Sequence, residues 1–248
     1  MALFIDSKSR RNLVTIKDNG EYHTHTGPIP FNLVIDEEEG VRVKTTGGAV
    51  YMVVRPTLAE FVLKMKRGAQ VIYPKDLGPI LMRADVFPGA KVLESGVGSG
   101  ALSMAMLRAG AEITGYEIRE DFAATAQDNV QSFLGPDASS RFQVEVRDVY
   151  EGIDQTGLDR VVLDLPEPWS VVKHAERALR PGGIFLAYLP SIIQVSQLRD
   201  ALADSAFEME TTVEIMERGW HVEGRAVRPD HRMVGHTGFL THARLFRA

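Results

Sequence analysis

The segment Val92-Leu93-Glu94-Ser95-Gly96-Val97-Gly98-Ser99-Gly100-Ala101 is a short apolar run that ends in closely spaced glycines. Glycines in that position let the backbone come close to a ligand and leave the N–H groups of a following helix free to bind it. Gly96, Gly98 and Ala101 also satisfy the dinucleotide-binding pattern G-x-G-x-x-G/A. The candidate ligand contacts of the loop and the first helical turn are Gly96, Gly98, Ser99, Gly100, Ala101 and Leu102, with Glu94 beside them.

Two further acids narrow the chemistry. Glu117 ends the next apolar run, 21 residues after Gly96, where a carboxylate accepts hydrogen bonds from ribose hydroxyls. Asp148, in Val146-Arg147-Asp148-Val149, ends the third run, where it can accept from an adenine amino group. Together they predict adenosine recognition; the competing reading is a tight turn with two solvated strand ends. Glu94 separates the possible cofactors, because a carboxylate there repels a pyrophosphate but suits a ligand carrying a sulfonium and an ammonium. The expected cofactor is S-adenosylmethionine.

These residues need a sheet to hold them. From Pro74 onward strands and helices alternate: Lys91 to Leu93, a helix from Ala101, Glu112 to Tyr116, a helix from Asp121, Gln143 to Val146, Arg160 to Leu165, a helix over Trp169 to Leu179, and Ile184 to Tyr188. Alternation of this kind predicts an α/β fold with a mostly parallel, doubly wound sheet. Glu210 to Met216 and Thr237 to Leu245 read as two strands joined by a long polar loop, forming an antiparallel C-terminal edge. Asn12 to Arg55 is strand-like, with Leu13 to Ile16, Val41 to Lys44 and Ala49 to Val54 separated by glycine turns. At Thr57 the period becomes helical, with Glu60 as the capping-box partner. The expected organisation is a small N-terminal β domain over residues 1–56, a helical linker over 57–73 and a catalytic domain over 74–248.

Composition agrees with a folded protein of that size. The 248 residues are 44% hydrophobic and 25% charged, and no cysteine is present, which excludes disulfides, thiolate metal sites and a cysteine nucleophile. No apolar run approaches the ~20 residues of a membrane span, and Met1 to Lys8 lacks a secretory signal pattern, so the expected location is the cytoplasm. The net charge of −5 is unevenly placed: Met1 to Gly68 carries +2, Ala69 to Ser205 carries −7 and the remainder is neutral. Both ends can therefore meet a polyanion.

Glu94 to Gly100, Asp164-Leu165-Pro166-Glu167-Pro168-Trp169, Arg180-Pro181-Gly182-Gly183 and Tyr73-Pro74-Lys75-Asp76 resemble the tRNA (adenine-N1)-methyltransferases of bacteria and archaea. The similarity extends over nearly the whole chain, including His23-Thr24-His25 and Gly235-His236-Thr237. Ser95 stands where the family usually has alanine, and Pro166 follows the archaeal form of its motif. The resemblance implies a Rossmann-like class I catalytic domain, S-adenosylmethionine as methyl donor, a T-loop adenine (tRNA position 58) as acceptor, a homotetramer, and Asp164 as the catalytic aspartate.

Adenine N1 has a lone pair, so alignment rather than a strong base supplies most of the catalysis. Attack makes the ring cationic, and Asp164 suits both stabilising that charge and accepting from the exocyclic amine. The alternative for Asp164 is a strand-end cap of the helix entered at Trp169. Because N1 lies on the pairing edge, the base must leave its partner and enter a pocket, for which Tyr73 and Tyr188 are the candidates, or else core aromatics. Gln70 is a candidate cover for the cofactor. His23 and His25 share a strand face without a matching carboxylate, so no metal site is expected; with His236 they fit structural bonds. Between Arg218 and His236, Arg225 and Arg228 are candidate phosphate contacts in an arginine-rich loop, with an oligomer interface or a solvated loop as alternatives. Two other functions compete: a protein carboxyl methyltransferase, which would not need the Asp164 to Trp169 motif, and a non-catalytic tRNA-binding subunit, which would not need the glycine loop and its acids.

Overall fold

The computed structural model describes residues 1–68 and 70–246. The chain separates into two compact units, Met1–Lys66 and Arg67–Ala248.

The first unit contains β1 (Ala2–Asp6), β2 (Arg11–Val14), β3 (Glu21–Thr24), β4 (Gly27–Pro30), β5 (Arg42–Lys44), β6 (Val50–Val54) and α1 (Leu58–Lys64). A four-stranded antiparallel sheet runs β2-β1-β6-β5, and β3 pairs with β4 in a separate hairpin. Phe4, Ile29, Phe31, Tyr51 and Val53 form its core. The expected strand pattern missed β1 and the β3–β4 hairpin. Pro28 and Pro30 argue against a strand, yet a two-stranded ribbon has outer edges on which a missing N–H costs nothing. Thr57 starts α1 with the expected capping box: its Oγ1 accepts from the Glu60 amide at 3.2 Å, and Glu60 Oε2 accepts from the Thr57 amide at 3.0 Å. The helical linker expected over 57–73 is not one element, since α1 ends at Lys64 within the first unit and Tyr73 N-caps a helix of the second.

The second unit runs α2 (Pro74–Arg83), β7 (Lys91–Ser95), α3 (Ala101–Arg108), β8 (Glu112–Glu117), α4 (Glu120–Leu134), α5 (Pro136–Ser139), β9 (Phe142–Val146), β10 (Leu158–Leu163), α6 (Val172–Ala178), β11 (Leu179–Leu189), α7 (Ile192–Ala203), β12 (Phe207–Glu214), β13 (Trp220–Glu223), β14 (Ala226–Pro229) and β15 (Phe239–Leu245). The seven-stranded sheet has the order β12-β15-β11-β10-β7-β8-β9. The five strands from β11 to β9 are mutually parallel, and β15 enters antiparallel between β11 and β12. This is the mostly parallel Rossmann-like sheet with an antiparallel edge that the alternation and the resemblance implied. Leu93, Tyr116, Val161, Leu163, Phe185 and Ala187 build its core, and α3 buries Ala101 through Leu107.

Three details differ from expectation. The helix placed at Trp169 begins as a 3-10 turn over Pro168–Val171 before α6, with Pro168 at its first position. β11 starts at Leu179 and carries Arg180-Pro181-Gly182-Gly183 as an irregularity, its partners jumping from Leu179 to Ile184. The polar loop before β15 contains the hairpin β13–β14, whose link includes Gly224 at a φ of 54°. No helix among the described residues is long and apolar enough to cross a membrane.

Candidate active site at the carboxyl edge of the parallel strands

β7 and β10 are neighbours in the sheet but first and fourth in the order of the parallel strands, so the chain leaves them in opposite directions and opens a crevice between their carboxyl ends. Glu94 and Ser95 end β7, and Asp164 follows β10, its amide bonded to the Ser95 carbonyl at 2.9 Å. Gly96 is forced at the junction: its φ is 82°, and a Cβ there would fall inside the Asp164 carbonyl oxygen. The glycine loop and Asp164 are thereby held backbone to backbone.

Glu94 is 1% exposed, and its Oε2 has no hydrogen-bond partner among the described residues. Burial pushes its carboxyl up to about 8, and the nearby Asp164 carboxylate pushes in the same direction. Asp164 is also raised, to about 7, by burial and by Glu117. Such a site holds unmatched carboxylate character and gains by receiving a cation. Glu117 is buried, and its two oxygens accept from the Gly98 amide at 2.9 Å and the Arg119 amide at 3.0 Å. Each oxygen keeps acceptor capacity for a further donor.

One narrow cavity is lined by Glu94, Gly96, Gly98, Ser99, Ala101, Leu102, Asp164 and Gln70, together with Val71, Ile72 and Val97. It brings together most of the residues expected to meet the cofactor. Three of them, Glu117, Gly100 and Asp148, do not line it. Gly100 does not line the cavity; it is the left-handed N-cap of α3 at a φ of 80°, and its missing Cβ makes room for Ala126. Asp148 lies two residues beyond β9, and its Oδ1 caps the 3-10 turn Val149–Glu151 by accepting from the Tyr150 amide at 2.9 Å.

A second cavity of about 420 Å³ is lined by Tyr73, Tyr188, Asp164, Gln70, Pro190 and Thr237, among others. Both cavities include Gln70, Val71, Ile72 and Asp164, so Asp164 stands where they meet. Among the described residues Asp164 caps no helix; the turn at Pro168 has exposed Glu167 at its N-cap with no side-chain capping bond. Tyr188 ends 9% exposed, and burial lifts its hydroxyl to about 12. It is pressed from behind by Gly238, where any Cβ would collide with its ring.

Thr237, His236 and Pro190 were not identified as lining residues from spacing. Their placement follows from the antiparallel direction of β15, whose first residues pair beside Leu189 and so reach the carboxyl edge of the parallel strands. His236 bridges that edge, with Nδ1 at 2.6 Å from Glu214 Oε1 and Nε2 donating to the Pro190 carbonyl at 2.8 Å. The Glu214 carboxylate holds the imidazole above its usual range. Arg225 and Arg228 are exposed on the β13–β14 hairpin and line neither cavity. His23 and His25 are exposed, with His23 Nε2 at 3.3 Å from Glu21, and no group of three or more potential metal ligands occurs among the described residues.

Comparison with known proteins bears on the family and the fold. The tRNA (adenine(58)-N(1))-methyltransferase TrmI of Thermus thermophilus is 37% identical over 249 residues, covering 99% of this chain and 97% of that protein. A crystal structure of a protein from Thermotoga maritima, described as a SAM-dependent O-methyltransferase, superposes with a TM-score of 0.93 at 31% identity, covering 100% of this chain and 93% of the other. That of the tRNA (m1A58) methyltransferase TrmI from Aquifex aeolicus gives 0.86 at 27% identity, with 100% and 97% covered. Residues 3–43 match the TrmI-like N-terminal family. With residues 48–228 matching its model and a Rossmann-like methyltransferase sheet behind the site, the chain belongs to the tRNA methyltransferase complex GCD14 subunit family, the methyltransferase family that the motifs resembled.

Proposed function

We propose that this chain transfers a methyl group from S-adenosyl-L-methionine to N1 of adenine 58 in the T-loop of tRNA. The observation that carries this reading is the placement of Asp164 in the wall common to the glycine-loop cavity and the larger, tyrosine-lined cavity. Methyl transfer needs donor and acceptor in adjoining compartments with an electrostatic partner at their junction.

The residues present fit the cofactor. The orphaned, buried Glu94 Oε2 suits its ammonium, Glu117 keeps acceptor capacity for ribose hydroxyls, and the loop over Gly96, Gly98 and Ser99 approaches it through backbone. Ala101, Leu102 and Gln70 complete that wall, with Asp148 near the adenine end and Gly100 acting through the packing of α3. When bound, S-adenosylmethionine supplies an electrophilic methyl group on a sulfonium. The chain's part is to orient and to exclude water. Tyr73 and Tyr188 offer flat faces for an extruded base, whose volume a cavity of about 420 Å³ accommodates. Asp164 accepts from the exocyclic amine and stabilises the positive charge that develops on the ring.

The same reading makes tRNA the partner, the cytoplasm the site of action and a homotetramer the assembly. On the β13–β14 hairpin, Trp220 and Val222 share one face with Val227 and Pro229 across the ribbon, and Trp220, Val222 and Val227 are all exposed. An apolar face of this kind favours contact with another subunit. Arg225 and Arg228 on the same hairpin are the proposed phosphate contacts.

The test is labelled methyl transfer from S-adenosylmethionine to unmodified tRNA, followed by nucleoside analysis. The expected product is 1-methyladenosine, lost when adenine 58 is replaced. A folded, cofactor-binding protein that yields no 1-methyladenosine overturns the reading.

A further inference from the structure

We propose that Lys75, acting with Asp76 and Thr237, is a positioning residue that closes the base of the β13–β14 arm and thereby sets the wall of the cavity for the target base. This deepens the methyltransferase reading above and rests on it. The Lys75 ammonium donates to three acceptors: Asp76 Oδ1 at 2.8 Å, the Ile215 carbonyl at 2.6 Å and Thr237 Oγ1 at 2.5 Å. Thr237 in turn donates its hydroxyl proton to Asp76 Oδ2 at 2.7 Å. Lys75 has no fourth donor and Thr237 has one proton to give, so these bonds use every donor of the two side chains, and both Asp76 oxygens accept. Asp76 is fully buried within this network, which reaches the tyrosine wall through a side-chain hydrogen bond between Thr237 and Tyr188.

Its topology gives it a role beyond stability. Ile215 directly follows β12 and Thr237 shortly precedes β15, so a single ammonium joins the two ends of the excursion that carries the hairpin. Asp76 lies in the first turn of α2, three residues after Tyr73. Tyr73 and Thr237 both line the larger cavity, with Tyr188 held against Gly238 next to Thr237. The α2 N-terminus, the arm and the tyrosine wall thus form one hydrogen-bonded unit. A buried ion pair is weak evidence for stability but effective at fixing a unique geometry. Neither Lys75 nor Asp76 lines the cavity, so the effect on chemistry is exerted through Tyr73, Thr237 and Tyr188.

Two variants of the full chain test this. Lys75→Met removes the clamp, and Thr237→Val removes one hydroxyl while retaining the Lys75–Asp76 pair, so a folding failure of the first leaves the second decisive. Both are expected to lower kcat for tRNA methylation by about 10- to 100-fold, the scale of a misplacement of order 1 Å, with S-adenosylmethionine Kd unchanged. Thr237→Ser restores the hydroxyl and is expected to recover kcat to within about threefold of wild type on the same scale. Limited trypsin cleavage within residues 216–236 should accelerate in Lys75→Met, a readout independent of activity. A lowered Tm with wild-type kcat and KM for tRNA overturns the positioning role and leaves a structural staple. Wild-type protein inactive on tRNA overturns the methyltransferase reading instead, while the trypsin result still reports on the clamp.

Discussion

The Glu117 carboxylate accepts a hydrogen bond from the Gly98 amide at 2.9 Å, which makes the acid at the end of β8 a support of the loop at the end of β7 in addition to its proposed role as a ligand contact. Removing it should therefore act on the cofactor twice, through a lost acceptor and through a loosened loop. Glu117→Ala is expected to weaken S-adenosylmethionine binding by about 1.5–3 kcal/mol, the range for hydrogen bonds to a charged group. Calorimetry giving wild-type affinity would remove Glu117 from the site.

Asp164 stands at the junction of the two cavities with its carboxyl raised to about 7 by burial. In the proposed mechanism it is the ionised form that stabilises the ring cation, so the rate of methyl transfer should rise as pH passes upward through about 7. Asp164→Asn should lower single-turnover methylation at least ~100-fold and abolish that rise, with tRNA affinity little changed. Turnover near the wild-type level would relocate the catalytic role.

Glu94 leads to a pH effect on stability with an unusual sign. Burial raises its folded-state pKa to about 8, whereas in the unfolded chain a glutamate titrates at about 4.3. Unfolding therefore releases a proton between those values, and the contribution of Glu94, fully present below about pH 4, is lost as pH rises toward 8. Glu94→Gln, without cofactor, should unfold at a higher temperature than wild type at pH 8, with the difference closing toward pH 5. Calorimetry of wild type at pH 7 should show proton release on cofactor binding. Thermal curves that do not diverge with pH would show Glu94 to be ionised in the free protein.

An acidic chain binding tRNA needs its cations placed locally. Arg225 and Arg228 are exposed on the hairpin, and replacing both with alanine should weaken tRNA binding and flatten the dependence of log K on log salt while leaving cofactor affinity intact. Parallel salt lines of equal affinity would assign the hairpin to subunit contact alone.

Much of the site was legible because its chemistry is local in sequence. Strand, glycines and helix start follow one another from Val92 to Leu102, and the alternation after Pro74 places Glu117 and Asp164 at the carboxyl ends of parallel strands. The Thr57–Glu60 capping box was equally local, since its partners are three residues apart. Long-range relations were not legible. Spacing could not show that Gly96 must lack a side chain because the Asp164 backbone passes beside it, or that Gly100 serves the packing of α3 on Ala126. It did not reveal β1, the β3–β4 hairpin or β13–β14, whose strands are short and whose prolines and exposed apolar residues obscure the period. The meeting of Lys75, Ile215 and Thr237 was beyond reach for a related reason: it depends on β15 running antiparallel into the sheet, which carries a segment more than 160 residues downstream to the N-terminus of α2. Periodicity reports which face of an element is apolar, whereas strand order and direction decide which loop ends share an edge, and only packing selects those.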